Sequence, residues 1–261
     1  MPDWLLTAAN LSWSLGLALA VLIVLYVPLE RAWLARAQPI LRPAWRTDLG
    51  FLLGQYLLWN IAVTSALVAM APWLRLPGGI CTAVAAWPWW IQATLVIVLS
   101  DLAIYWGHRA QHRVAWLWRF HRTHHTAEHL DWLAAHREHP IDTVYTMGLI
   151  NLPALMLGFP LWTIVGFATF RGLWAILIHS NTRLPLGPLA CLIGAPETHR
   201  WHHHRDRDAG NYANLSPLWD IAFGTYHRPA HEDFPLGTDG PRHQGYVAHL
   251  LWPLRWRRSE P

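Results

Sequence analysis

The chain predicts an all-α integral membrane protein: a helical bundle of about three spans plus a re-entrant helical hairpin, with a cytosolic, helical, His-rich cap. Three observations point there. Of the 261 residues, 53% are hydrophobic and only 14% charged, where a soluble domain carries roughly 25% charged residues. The apolar residues gather into runs long enough for a bilayer, which takes about 20 residues per helix. The 17 His outnumber the 16 acidic residues, and none precedes residue 108. The same figures exclude disorder, collagen and coiled coil. Cys81 and Cys191 are too few for a disulfide scaffold and are expected as free thiols on opposite sides of the membrane.

Residues 1–107 are expected to hold the N-terminal transmembrane helices. The first run, Leu15 to Leu29, extends backwards through Trp13 and Leu11. Asp3 precedes it, without the basic leader and cleavage site of a signal peptide, so a retained spanning helix is expected. Leu49 to Leu74 is the second run, and Trp89 to Trp106, interrupted by Gln92 and Asp101, is the third. Residues 108–143 form a first His-rich segment. The stretch 144–178, from Val144 to Ile178, is too long for one span and carries Pro153, Gly158 and Pro160. It reads as a helical hairpin that enters and leaves on one side. Residues 179–261 hold a second His-rich segment. They end in Trp252-Pro253-Leu254-Arg255-Trp256-Arg257-Arg258, a pattern that suits an interfacial anchor. The four segments are expected to form one catalytic unit.

All 20 basic residues are Arg, and the net charge is +4. They flank the apolar runs instead of forming a stripe beside stacking aromatics, which favours a membrane surface and argues against nucleic acid. Loop 30–48 carries Arg31, Arg36, Arg42 and Arg46, and loop 75–88 carries only Arg75. The positive-inside tendency makes the first loop cytoplasmic. Both His-rich segments then meet on the cytoplasmic face, of a bacterial inner membrane in the simplest reading. Trp73, Trp87, Trp89, Trp90, Trp106, Trp116 and Trp118 are expected in the interfacial belts.

The histidines fall in clusters: His108 and His112, then His121, His124 and His125, then His199, His202 and His203. Spacings of three and four place side chains on one helical face. Packed cationic imidazoles repel one another, and buried neutral ones without partners leave nitrogens unsatisfied. A metal ion resolves both, since it binds the neutral ring. Eight clustered imidazoles exceed the about four to six ligands of one ion, so two ions fit the count. Imidazole alone does not choose among Fe, Zn, Cu and Ni. His129, His227, His231, His243 and His249 read as ordinary interfacial residues.

The ordered motifs resemble the fatty acid hydroxylase / sterol desaturase superfamily of integral-membrane non-haem diiron oxygenases, in a bacterial-type member. The resemblance runs from about Leu95 to Tyr226. It is carried by Asp101-Leu-Ala-Ile-Tyr105 ahead of His108, by Trp118-Arg-Phe-His121-Arg-Thr-His124-His125 and by Arg137-Glu-His139-Pro140. It continues in His179-Ser-Asn181, His199-Arg-Trp-His202-His203, Asn211-Tyr212-Ala-Asn214 and Trp219-Asp220. The resemblance implies His108, His112, His121, His124, His125, His179, His199, His202 and His203 as catalytic metal ligands. Some members carry another His one turn before His179, where this chain has Ala175. His139 is therefore a further candidate ligand or an outer partner, and His136 and His204 are read as neighbours. Asp101, Glu138, Glu197, Asn181, Asn211 and Asp220 are the residues expected to hold the rings through their other nitrogen.

The resemblance implies two Fe ions, O2 as co-substrate, and a membrane lipid such as a fatty acyl chain, sterol or terpenoid, hydroxylated or desaturated at a C–H bond. The chain has no Gly-x-Gly-x-x-Gly or Cys-rich cluster motif, so a separate reductase, ferredoxin or cytochrome is expected to supply electrons. The hairpin 144–178 is the expected wall of the lipid slot. The enzymatic alternative is a dinuclear lipid hydrolase using metal-bound hydroxide, although such sites mix carboxylates with His. The non-enzyme alternative, a metal transporter or membrane cytochrome, needs ligands inside the spans.

Overall fold

The computed structural model describes residues 3–241 and 245–255. Among them no strand forms, and β pairing is limited to isolated bridges, Leu34 with Thr182 and His204 with Leu236. Helix α1 runs Asp3–Ala32. Helix α2 (Trp45–Gly54) passes through a π turn (Gln55–Trp59) into α3 (Asn60–Leu74). Helix α4 (Gly78–Ala85) occupies the loop before α5 (Trp89–Arg113). Three stretches are long and apolar enough to cross a membrane: Trp13–Ala32, Trp45–Leu74 and Trp89–Arg113. Their outward faces are bare of protein, with Leu17, Val24, Ile61 and Met70 exposed, as lipid contact requires. The 25 residues of α5 rise about 1.5 Å each and outreach the roughly 30 Å hydrocarbon layer. Counted from Trp89, its last turns therefore bring His108 to about the edge of that layer and His112 past it.

Helices α7 (Pro140–Met156) and α8 (Leu161–His179) form the expected hairpin. The break lies at Gly158, with φ 74°. Pro153 stays inside α7, contrary to the expected interruption, as proline can within a membrane bundle. The tip reaches the far end of α3, where Leu76 N–H donates to Met156 O at 2.8 Å. The hairpin thus runs the length of the bundle. Ala154, Leu155, Val96 and Ile164 form the core between α3, α5, α7 and α8. Gly107 lets α5 approach α7 closely, because a Cβ there would strike Leu149.

The cap consists of α6 (Ala115–His125), a loop with a 3-10 turn at Ala134–His136, α9 (Pro196–His202), α10 (Leu218–Ala222) and α11 (Tyr246–Leu251). It is tied to α2 by buried charge. Asp48 pairs with Arg42 and Arg137, and Arg42 also pairs with Asp131. Removing one partner of such a set strands a buried charge at a cost of about 3–5 kcal/mol. Arg42, counted above among the surface charges of its loop, is 0% exposed and so says nothing about sidedness. Trp118 departs from the belt as well. It is 6% exposed and packs on His112 and His125 at ring-centroid distances of 5.0 and 5.4 Å, while the other six expected belt tryptophans are exposed. Both cysteines are free. His243 and the Trp256–Arg258 part of the expected anchor lie outside the described residues.

Candidate metal centre

Four elements deliver the rings. The last turns of α5 bring His108 and His112, one turn apart. Val114, extended at φ −92°, turns the chain into α6, whose i, i+3 and i+4 positions are His121, His124 and His125. His179 ends α8. Pro196 at the first position starts α9, which aims His199 and His202 the same way, with His203 at its end. The nine rings fall into two groups whose ligand atoms lie within 4.8 Å of one another: His108, His112, His121, His125 and His202 in one, and His124, His179, His199 and His203 in the other. The groups abut, since the His125 and His203 rings stack at 4.5 Å.

The hydrogen bonds fix which nitrogen faces inward. His108, His112 and His202 direct Nδ1 to the carbonyls of Tyr212, Arg207 and Gly210 at 2.8, 2.6 and 2.8 Å. His124 and His179 direct Nδ1 to the carbonyls of Arg137 and Ala175 at 3.0 and 2.6 Å. His121 directs its Nδ1 to Asp142 Oδ2 at 2.9 Å. A carbonyl only accepts, so the five Nδ1 atoms that meet carbonyls carry the proton and their Nε2 atoms carry a lone pair, and an ionised Asp142 sets His121 the same way. Yet His108 Nε2 lies 3.1 Å from His121 Nε2, and His179 Nε2 lies 2.9 Å from His124 Nε2. Two lone pairs repel at that distance unless a cation lies between them. Metal–imidazole bonds of about 2.1 Å at a right angle put two nitrogens about 3.0 Å apart. His112 Nε2, His202 Nε2 and both nitrogens of His203 are buried without a hydrogen-bond partner among the described residues. The donor set therefore fits two metal ions.

Electrostatics agrees. Burial first, then mutual repulsion, pushes the pKa values of His121, His124, His125, His199, His202 and His203 well below 6.5. The rings are neutral at physiological pH, the form that ligates.

The outer partners differ from expectation. None of the six expected residues hydrogen-bonds a ring of either group. Asp101 accepts from Arg171 and from the N–H groups of Leu215 and Ser216, so it latches α5 to α8 and to the cap. Asp220 accepts from Tyr212 N–H and Ala213 N–H at 2.8 Å each, and so shapes the turn whose Tyr212 carbonyl meets His108. Asn211, with φ 56°, binds Thr198 O and the His227 backbone. Asn181 clasps the Arg36 backbone. Glu138 accepts from Gln55 and Thr143, and Glu197 Oε2 has no hydrogen-bond partner among the described residues. The rings rest on backbone carbonyls, which carry no side-chain signature, and on one carboxylate, Asp142, which Gln111 holds in turn. Asp142 in the first turn after Pro140 was the one signal a sequence could have offered.

His139 is no ligand. Its Nδ1 caps α7 by accepting from Ile141 N–H, and its Nε2 bonds Leu250 O. His136 bonds Gln55, which the π turn presents, and His204 accepts from Asp206 N–H. His249 is buried, unlike an interfacial residue, and lies edge-on to Phe51.

The family model described as fatty acid hydroxylase matches residues 93–225, about half of the chain. Among curated proteins, the ornithine lipid hydroxylase OlsE of Rhizobium tropici is 32% identical over 171 residues, 64% of this chain and 52% of that protein. Alkylglycerol monooxygenase of Homo sapiens is 34% identical over 178 residues, 65% of this chain and 39% of that protein. Delta(7)-sterol 5(6)-desaturase of Leptosphaeria maculans is 34% identical over 152 residues, 57% of this chain and 40% of that protein. The chain thus spans about half the length of these relatives or less. No solved structure matches it.

Proposed function

The chain belongs to the fatty acid hydroxylase family, and on that premise we propose that it oxidises an unactivated C–H bond of a membrane lipid with O2 and two electrons from a separate donor. The observation that carries this reading is the donor set: two adjoining all-imidazole groups with no carboxylate in either. The relatives named above, a lipid hydroxylase, an alkylglycerol monooxygenase and a sterol desaturase, support a lipid substrate.

His108, His112, His121, His125 and His202 would hold one iron, and His124, His179, His199 and His203 the other. Bound iron supplies the redox power for inserting one oxygen atom of O2 into the lipid while the other leaves as water, with two electrons and two protons taken up. The chain's own residues orient and shield. Asp142 and the five carbonyls hold six of the rings, His108, His112, His121, His124, His179 and His202, with Nε2 inward before any ion arrives, which spares reorganisation. Ala175 contributes a carbonyl to His179 and no further nitrogen, so the four-ring group keeps coordination positions free for small molecules. Burial of the rings under the cap loop keeps water out, and the apolar α7–α8 hairpin forms the lipid-side wall. Exposed Arg31 at the end of α1 supports a cytoplasmic cap, where a soluble or membrane-bound electron carrier would meet it.

The test is elemental analysis of protein purified from iron-replete cells, paired with lipid mass spectrometry under 18-O2. About two irons per chain and one labelled oxygen per product lipid are expected. Zinc alone, with ester cleavage drawing oxygen from water, would make the protein a hydrolase.

A further inference from the structure

A wide, open groove of about 760 Å³ is lined by Arg36, Arg183, His231, Glu232, Asp233 and Phe234 among others. Its floor is fastened to the metal-binding segments. Arg36 N–H donates to Asn181 Oδ1 at 3.0 Å, and Asn181 Nδ2 to Arg36 O at 2.8 Å, two residues beyond His179. Glu232 accepts from Arg200 Nε at 2.8 Å, and Arg200 follows His199. Arg36 spends Nη2 on Phe234 O and lies over that ring, and its Nε faces Glu232 Oε2 at 3.9 Å, so the charge of Arg36 is already answered within the groove. At the rim, Arg183 and Asp233 are exposed. Neither side chain has a hydrogen-bond partner among the described residues.

The rim also adjoins the end of α1. Trp33, Leu34, Ile40 and Leu41 are exposed by 45, 42, 57 and 65%, and Trp33 O accepts from Arg183 N–H at 2.8 Å, so the apolar strip adjoins the charges. A purely anionic headgroup would face Glu232 and Asp233; an uncharged one would leave the exposed Arg183 and Asp233 without a hydrogen-bond partner. We propose that this groove binds the headgroup of a zwitterionic membrane lipid. The acid group lies against Arg183, the ammonium lies against Asp233, and the chains lie along Trp33, Leu34, Ile40 and Leu41. The groove then selects by headgroup which lipids are held. From the proposed function this takes only that the protein works on membrane lipids.

The test places the protein in nanodiscs of equal phosphatidylethanolamine, phosphatidylglycerol and diacylglycerol, and counts retained lipid by native mass spectrometry. A rim charge pair is worth up to about 1 kcal/mol, so phosphatidylethanolamine should be enriched up to about fivefold. Asp233→Arg should turn the preference to phosphatidylglycerol, and Arg183→Glu should lower retention of both phospholipids. An inverted preference is not a result that partial unfolding produces. Equal retention of the three lipids, or an order unchanged by Asp233→Arg, overturns the assignment. Soluble glycerophosphoethanolamine at equal concentration should leave the lipid in place; displacement would mean a soluble ligand and overturn it too. Iron content and 18-O2 incorporation are read on the same preparations. A lipid-blind groove in an active oxygenase sinks the groove alone, and a selective groove in a protein without oxygenase activity sinks the other reading alone.

Discussion

The two ring groups share chemistry but differ in support. In the five-ring group, His108, His112, His121 and His202 are each held from behind, one of them by the Asp142 carboxylate. In the four-ring group only His124 and His179 are held, while His199 Nδ1 and His203 Nδ1 lack hydrogen-bond partners among the described residues. An outer partner fixes ring orientation and raises basicity. The difference teaches that one group is oriented rigidly and the other loosely, so that under the proposed function the four-ring ion would be held by fewer and less constrained donors.

The largest effect should come from removing a donor. His112→Ala and His203→Ala should each lower lipid oxidation by more than about 100-fold, beyond what loss of an outer partner costs, measured as product per chain. Next comes the carboxylate. Asp142→Asn should weaken metal binding of the five-ring group about 10- to 100-fold and leave the four-ring group unchanged, read by competition with a chelator. An equal loss from both groups would erase the contrast between them.

Gly210→Ala is a smaller perturbation of the same group. Gly210 has φ 83° and no room for a Cβ beside Thr225 O, and its carbonyl steadies His202. A left-handed Ala costs about 1–2 kcal/mol, so the thermal midpoint should fall by a few degrees and the five-ring ion should loosen.

Acid is the mildest lever. The rings of both groups outside the spans, together with His136 and His249 at about 4, have folded pKa values below 6.5. The unfolded chain therefore binds more protons between those values. The histidine contribution is complete above pH 6.5 and is lost as pH falls towards 4. Glu138, raised by burial to about 7, works the other way between 4.5 and 7 but is outnumbered. The thermal midpoint of metal-free protein in detergent should decline below pH 6.5, and bound metal should delay that decline. A midpoint flat to pH 5 would contradict the buried, neutral rings.

Much of this was legible in the sequence. Helical spacing and clustering singled out eight of the nine rings that the structure brings together, and His179 came from the family resemblance, because a lone His at a helix end has no pattern of its own. The spans were legible because lipid tolerates no other pattern. The supports of the rings were not, since Tyr212, Arg207, Gly210, Arg137 and Ala175 act through carbonyls that any residue provides. Asp101 misled for a related reason: its position on α5 suggested the rings, but Arg171 and the Leu215–Ser216 backbone claim both its oxygens. Trp118 misled because an indole near a span end suits the belt as well as it suits a wall of the metal site.

Metal counted per chain along a chelator titration tests the account most directly. Two irons should leave in separate phases, the four-ring iron first, and His203→Ala should begin with about one iron held as tightly as the wild type holds its last. A single iron per chain, both irons leaving in one phase, or two irons retained by His203→Ala would contradict two unequal imidazole sites.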